Sequence, residues 1–378
     1  MLRLLISLFA ASLAVAPFAF AQTAQPLSIA DVPVFRGSPY QVGLQHGDTF
    51  AKELQALTSN VVREHLPTWY HRWIAQFAAW RMQSHFPNGF EEEMRGIADG
   101  AKVSYHDILY GNLLADINAL FGNPFGCSTV AVLPARSSHG QMIVGRNLDW
   151  YHGLAGFMRE SLRTFVIARE GDRPILVVGY PGMVGVLTGV NDRGLLVSLM
   201  YSKSDDQTSA GIPVTFLLRK ILAQSGTVAE ARAAYVRGKP RTIAINTLLA
   251  DGTTAAVVES SANREAIRQP RRGLIYSANH FVTPELKNDQ GPDYRWPVIT
   301  KFDEGSQTKI SAAAVRSWTA DLAMKDDVFH NVKAVVLDYG TQTLRFGAHA
   351  ETAAAGPMTA VDLSAFLQTP KVTAKAIR

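Results

Sequence analysis

The chain has 378 residues, 47% of them hydrophobic and 18% charged, and a formal net charge of +5. That is enough apolar material to build the core of one large layered domain or two ordinary ones. The basic residues are scattered, and the denser groups at Arg237, Lys239 and Arg241 and at Arg271-Arg272 read as solvated turns, so no nucleic-acid partner is expected. A single cysteine, Cys127, rules out an internal disulfide.

In chain order, residues 1–21 read as an export signal. Arg3 supplies the positive end, Leu4 to Ala16 an apolar stretch shorter than a membrane span, and Ala19-Phe20-Ala21 the small-x-small cleavage pattern. The expected mature chain starts at Gln22, is periplasmic or secreted, and carries no stable membrane anchor. Residues 48–118 read helical, with Trp73, Phe77 and Trp80 recurring at helical spacing as a core-facing stripe. Ser104 to Asp107 resembles a capping box that opens the last helix of this region.

After residue 127 the period changes to strand-and-turn. Short β-branched or apolar runs at 129–133, 142–146, 164–169, 175–179 and 195–199 are separated by Gly, Asp or Pro. A second set occupies 243–249, 255–259 and 274–278, with 334–337 and 343–346 joined by a tight turn. Helical stretches at 213–223 and 231–235 lie between the sets. This grammar predicts stacked sheets covered by helices, an α+β chain with a four-layer αββα sandwich behind a helical N-terminal segment. A loose Ala/Thr/Pro-rich tail is expected after Ala350.

The chemistry centres on Gly126-Cys127-Ser128-Thr129, which sets the thiol at the mouth of a strand behind a residue without a side chain. A thiol there is placed to attack the carbonyl of its own preceding peptide bond, and Gly126 tolerates the backbone angles this demands. The product chain begins at Cys127. Its freed α-amine, with an ordinary pKa of about 7.7–8.0, can act as general base for a thiol whose ordinary pKa is about 8.5. Nucleophile and base then share one residue. Roughly twenty residues on, Gly145-Arg146-Asn147-Leu148-Asp149-Trp150 places a cation and an anion where a hairpin would return both beside Cys127. Arg146 would lower the thiol pKa and Asp149 would hold or orient the amine; a surface ion pair is the alternative reading. His65, His71 and His85 lack an HExxH or Cys-rich context and read as solvated, so neither metal nor cofactor is expected. No G-x-S-x-G elbow is present.

The two motifs at 126–129 and 145–150 together resemble the isopenicillin-N acyltransferase family of self-cleaving N-terminal-nucleophile hydrolases. That family is related to the choloylglycine and penicillin V hydrolases and to the acid amidases of N-acylethanolamines and ceramide. Upstream, Arg36-Gly37-Ser38-Pro39 through Gly43, His46 and Gly47, and then Glu93 to Gly100, resemble its pro-segment. The resemblance implies the N-terminal-nucleophile fold, a small subunit of residues 22–126 and a catalytic region of residues 127–378, with the two fragments staying associated. It implies catalytic roles for Cys127, Arg146 and Asp149, an oxyanion donor in the Asn279 side chain, a second donor in a backbone N–H near Tyr201, and a supporting Arg295. Trp150, Tyr151, Met200 and Tyr201, with Phe157 and Met158, are candidates to line an apolar acyl site. The expected activity is hydrolysis of a linear amide in a small N-acyl compound through an acyl-thioester. Acyl transfer to an amine, or an exported solute-binding protein without catalysis, are the alternatives.

Overall fold

The computed structural model describes residues 26–65, 68–120, 125–286, 292–304, 309–324, 328–347 and 356–367. The expected signal at 1–21 lies outside these residues, as does most of the expected tail. In chain order the elements before Cys127 are β1 (Leu27–Ser28), β2 (Val34–Gly37), α1 (Pro39–Thr49), α2 (Ala51–His65), α3 (Trp69–Gln83), α4 (Phe90–Ala101) and α5 (Tyr105–Leu120). There follow β3 (Gly126–Val132), β4 (Ile143–Tyr151), α6 (His152–Glu160), β5 (Arg163–Arg169), β6 (Ile175–Gly179), β7 (Thr188–Asn191), β8 (Leu196–Tyr201), α7 (Val214–Gln224) and α8 (Val228–Arg237). The chain continues through β9 (Ile245–Ala250), β10 (Ala255–Ser260), β11 (Glu265–Arg268), β12 (Leu274–Ser277), α9 (Trp296–Glu304), α10 (Ala312–Asp321), β13 (Phe329–Asp338), β14 (Thr343–Gly347) and β15 (Thr359–Asp362).

Among the described residues the strands form two sheets, ordered β1-β15-β14-β13-β4-β3-β12 and β11-β10-β9-β8-β7-β6-β5-β2. They meet face to face through β3 and β8; α10 covers the outside of the first sheet, and α7 and α8 cover the second. This is the four-layer αββα sandwich. Strand alternation explains the layering. Along β3, Cys127 and Ala131 join the core between the sheets, whereas Val130 and Val132 pack with Val315 and Trp318 under α10.

The segment before Cys127 is not helical alone. β2 pairs in parallel with β5, and β1 with β15, so both sheets take a strand from it. The glycines that carried the upstream resemblance sit where α1 and α4 cross. A β-carbon at Gly43 or Gly47 would overlap the α4 backbone, and one at Gly96 or Gly100 the α1 backbone. The stripe of Trp73, Phe77 and Trp80 corrects the sequence reading. These side chains are 62%, 49% and 66% exposed, while α3 buries Ala75, Ala78, Ala79 and Met82 on its other side. Helical period alone does not say which stripe meets the core. The β15 strand likewise replaces part of the loose tail expected after Ala350.

Candidate active site

The β3–β4 hairpin builds the centre. In its register Cys127 faces Leu148, Thr129 faces Arg146 and Gly126 faces Asp149. Two-residue alternation puts Arg146 on the inner face with Cys127 and leaves Asp149 beside the Gly126–Cys127 peptide at the strand end. The Arg146 Nη2 lies 3.5 Å from the Cys127 Sγ and donates to the Leu199 carbonyl at 3.0 Å, reaching across to the other sheet. Its Nε and Nη1 are buried and meet no acceptor among the described residues. The hairpin thus places the guanidinium at the thiol and the carboxylate at the peptide.

Cys127 is wholly buried. Burial pushes its thiol up from the ordinary value, with Asp149 adding to the rise and Arg146, Arg295 and Lys333 opposing it. The Cys127 backbone N–H donates to the Asn279 Oδ1 at 2.7 Å. Asn279 lies just beyond β12, which pairs with β3 through Ser277 and Thr129, so sheet order delivers its amide to the nucleophile. The Asn279 Nδ2 donates to the Phe125 carbonyl at 3.1 Å and to the Tyr201 carbonyl at 2.8 Å. Tyr201 therefore meets Asn279 through its carbonyl, an acceptor.

Arg295 ties these groups together. It donates to the Asp149 Oδ2 at 2.8 Å, to both carboxylate oxygens of Asp293 at 2.8 and 2.7 Å, and to the Asn279 Oδ1 at 2.5 Å. Burial alone would lower its pKa, but the two carboxylates outweigh burial and raise it. Asp293 is held below the usual carboxylate range because the Arg295 contacts outweigh its own burial. Burial pushes Asp149 up, opposed by Arg295, by the Asn331 Nδ2 at 2.7 Å and by the Met324 N–H at 3.3 Å.

Two clefts flank the centre. A polar one of about 1040 Å³, partly open to solvent, is lined by Phe125, Gly126, Tyr201, Asn279, Arg295 and Met324 among others. An apolar one of about 870 Å³, also partly open, lies between α2 and α5 on one side and Trp150, Leu154, Met158 and Tyr180 on the other. The Phe125 and Trp150 rings stack at 5.4 Å, so one pair of rings stands between the two clefts. Of the expected acyl-site residues, Trp150 and Met158 line the apolar cleft and Tyr201 the polar one. Tyr151 is half-buried against Phe329, and Met200 is wholly buried, accepting from the Ser198 hydroxyl. Phe157 is half-buried on α6.

Sequence reading did not single out Lys333, Tyr180, Asp293 or Asn331. Lys333 extends from the inner face of β13 to donate to the Val178 carbonyl at 2.9 Å, and its amine sits 5.9 Å from the Tyr180 ring centre. Only Asp293, two positions before Arg295, carried a usable signal. Among the described residues no cluster of His, Cys, Asp and Glu is arranged to hold a metal ion. His46 accepts from the Gly182 N–H at 2.9 Å, and His280 accepts from the Asp293 N–H, so both act within the scaffold.

A family model for acyl-coenzyme A:6-aminopenicillanic acid acyl-transferase matches residues 136–316, a span that takes in Arg146, Asp149, Asn279 and Arg295 and starts after Cys127. An N-acylethanolamine-hydrolyzing acid amidase of Caenorhabditis elegans is 30% identical over 184 residues, covering 43% of this chain and 47% of the relative. A β-alanyl-dopamine/carcinine hydrolase of Drosophila melanogaster is 23% identical over 278 residues, covering 68% and 67%. The chain spans about half the length of several curated relatives it matches. Among solved structures, a Caenorhabditis elegans N-acylethanolamine-hydrolyzing acid amidase ortholog superposes with a TM-score of 0.44 at 19% identity, over 56% of this chain and 92% of the other.

Proposed function

We propose that the chain is a self-cleaving amidohydrolase with Cys127 as N-terminal nucleophile, a reading supported by the match of residues 136–316 to the acyl-coenzyme A:6-aminopenicillanic acid acyl-transferase family model. Its substrate class is linear amides of small N-acyl compounds. The observation that carries this reading is the clamp on the Cys127 N–H, held by Asn279 at 2.7 Å while Arg146 approaches the thiol sulfur at 3.5 Å.

In the first step the Cys127 sulfur adds to the Gly126 carbonyl carbon; collapse breaks the Gly126–Cys127 C–N bond, leaving a thioester and a free amine. Water then releases the Gly126 carboxylate and regenerates the thiol. In the uncut chain the Asn279 amide is occupied by the Phe125 carbonyl. Departure of Phe125 frees that donor for a substrate oxyanion and removes one ring of the pair between the two clefts. Each oxyanion donor of this kind is worth about 10²–10³ in rate. With substrate, the same sulfur attacks the amide carbonyl, the α-amine of Cys127 passes a proton to the leaving amine, and water resolves the acyl-thioester. Transfer of the acyl group to an amine instead of water is the second reading, favoured by the family model's own description.

The test is intact-mass measurement of the purified protein. Cleavage before Cys127 and export with loss of residues 1–21 predict fragments of residues 22–126 and 127–378, and Cys127→Ala should leave 22–378 in one piece. A continuous chain that hydrolyses N-acyl amides at full rate would overturn the mechanism. A first residue other than Gln22 would overturn the export reading and leave the chemistry standing.

A further inference from the structure

Helix α3 presents its largest side chains to solvent. Trp69, Trp73, Phe77 and Trp80 are 80%, 62%, 49% and 66% exposed, and Tyr70 is 46% exposed. At 100° per residue, positions 69, 73, 77 and 80 fall within an arc of about 80°, one continuous aromatic ridge. The opposite side, bearing Ala75, Ala78, Ala79 and Met82, is the one that packs on the protein. Such inversion leaves a large apolar patch uncovered, and contiguous patches of this kind mark interaction surfaces.

Three features identify what covers it. The ridge is convex and built from three tryptophans, a phenylalanine and a tyrosine, the side chains whose apolar body and polar edge suit the boundary between lipid headgroups and acyl chains. Helix α3 contains no Asp or Glu, and the exposed Arg72 and Arg81 fall on either side of the ridge, Arg81 donating through its Nε to the Ser209 hydroxyl at 2.7 Å. The full sequence is positively charged, at +5, which becomes +4 without Arg3 of the expected signal. We propose that α3 lies in the interfacial plane of an anionic lipid bilayer with its aromatic ridge inserted. It would lie on the surface and not span it, since among the described residues no helix is long and apolar enough to cross a membrane.

The placement gives the contact a use. Helix α3 packs on α5, and α5 supplies Ile108, Gly111, Leu114 and Ala115 to the apolar cleft. A membrane-bound α3 therefore holds α5, and with it one wall of the apolar cleft, one helix away from the bilayer, where an N-acyl compound with an aliphatic chain is concentrated. Membrane docking by α3 does not depend on the chemistry proposed for Cys127 and is measured as binding alone.

The test is flotation of the full chain with unilamellar vesicles of phosphatidylcholine, alone or containing about 30% phosphatidylglycerol. The parent protein should float with the anionic vesicles, and W69A/W73A/W80A should lose at least about tenfold in partitioning. Its thermal midpoint should stay at the parent value, because those side chains cover no core. A second readout is quenching of tryptophan emission by lipids brominated on the acyl chain, expected for the parent. Failure of the parent to float, equal flotation of the variant, or a parent dimer that the variant converts to monomers would each overturn the proposal; the last would make the ridge an interface between copies.

Discussion

The Lys333 amine is buried, donates to the Val178 carbonyl, and meets no carboxylate among the described residues. Burial pushes its pKa well below the usual lysine range; Arg146 adds to the fall and Cys127 opposes it. A buried, unpaired amine costs folding free energy, and proteins tend to keep such groups where they tune a reacting centre. While it is protonated, the Lys333 amine lowers the thiol pKa, so Lys333→Met should move the rise of amide turnover with pH toward higher pH. Folding stability should hold or increase, because the variant removes a buried polar group and keeps similar volume. A pH–rate profile identical to the parent's would show that the amine only packs. Nothing in the sequence marks this lysine, since a single Lys in a strand reads as a solvent-facing position. Cys127 was legible because it is the only thiol. The opposite-face placement of Arg146 and Asp149 needed the hairpin register.

Elements were legible to the extent that they are long. Helices α2 to α5 and the strands from β3 to β6 follow their periodicity, whereas α1 lies almost entirely before the stretch that reads as helical, and β1, β2, β7, β11 and β15 have two to four residues each and show too little pattern to be read. Two buried groups at the seams between elements set a pH signature. His46, on α1, is stacked on Phe35 at 4.8 Å, and burial lowers its pKa from 6.5 to about 3. Asp116, on α5, accepts from the Val214 N–H and the Thr242 hydroxyl, and burial raises its pKa from 3.8 to about 6. A depressed His46 contributes stability that is present above pH 6.5 and is lost as pH falls toward 3. A raised Asp116 contributes stability that is present below pH 3.8 and is lost as pH rises through about 6. Between about pH 6 and 4 the two slopes oppose each other. Asp116→Asn should therefore steepen the loss of urea resistance on acidification, and His46→Gln should make urea resistance rise on acidification. Parallel midpoint-versus-pH curves for the parent and both variants would refute the assignment.

At the scale of the whole molecule, the proposed cut separates two fragments that the fold has interleaved. Residues before Cys127 lend β1 to one sheet and β2 to the other. The Asn112 side chain of α5 donates to the Gly182 carbonyl and accepts from the Val184 N–H across the same divide. A further tie is a buried ion pair. Glu93 of α4 receives two parallel hydrogen bonds from Arg219 of α7, each 3.1 Å long, and the arginine also donates to the Val184 carbonyl at 2.7 Å. Both side chains are nearly inaccessible to solvent, at 0% and 1% exposure, so water cannot replace a lost partner. Glu93→Ala should consequently cost about 3–5 kcal/mol, measured as a drop in urea stability of the cut protein, by stranding the guanidinium. Fragment dissociation should accompany that unfolding in one transition, because the pair bridges the two pieces. Glu93→Ala combined with Arg219→Met should recover part of the loss, since no charge is then left buried without its partner. If the fragments of the parent part in mild buffer, or if the double variant is no more stable than Glu93→Ala, the pair is not what holds them.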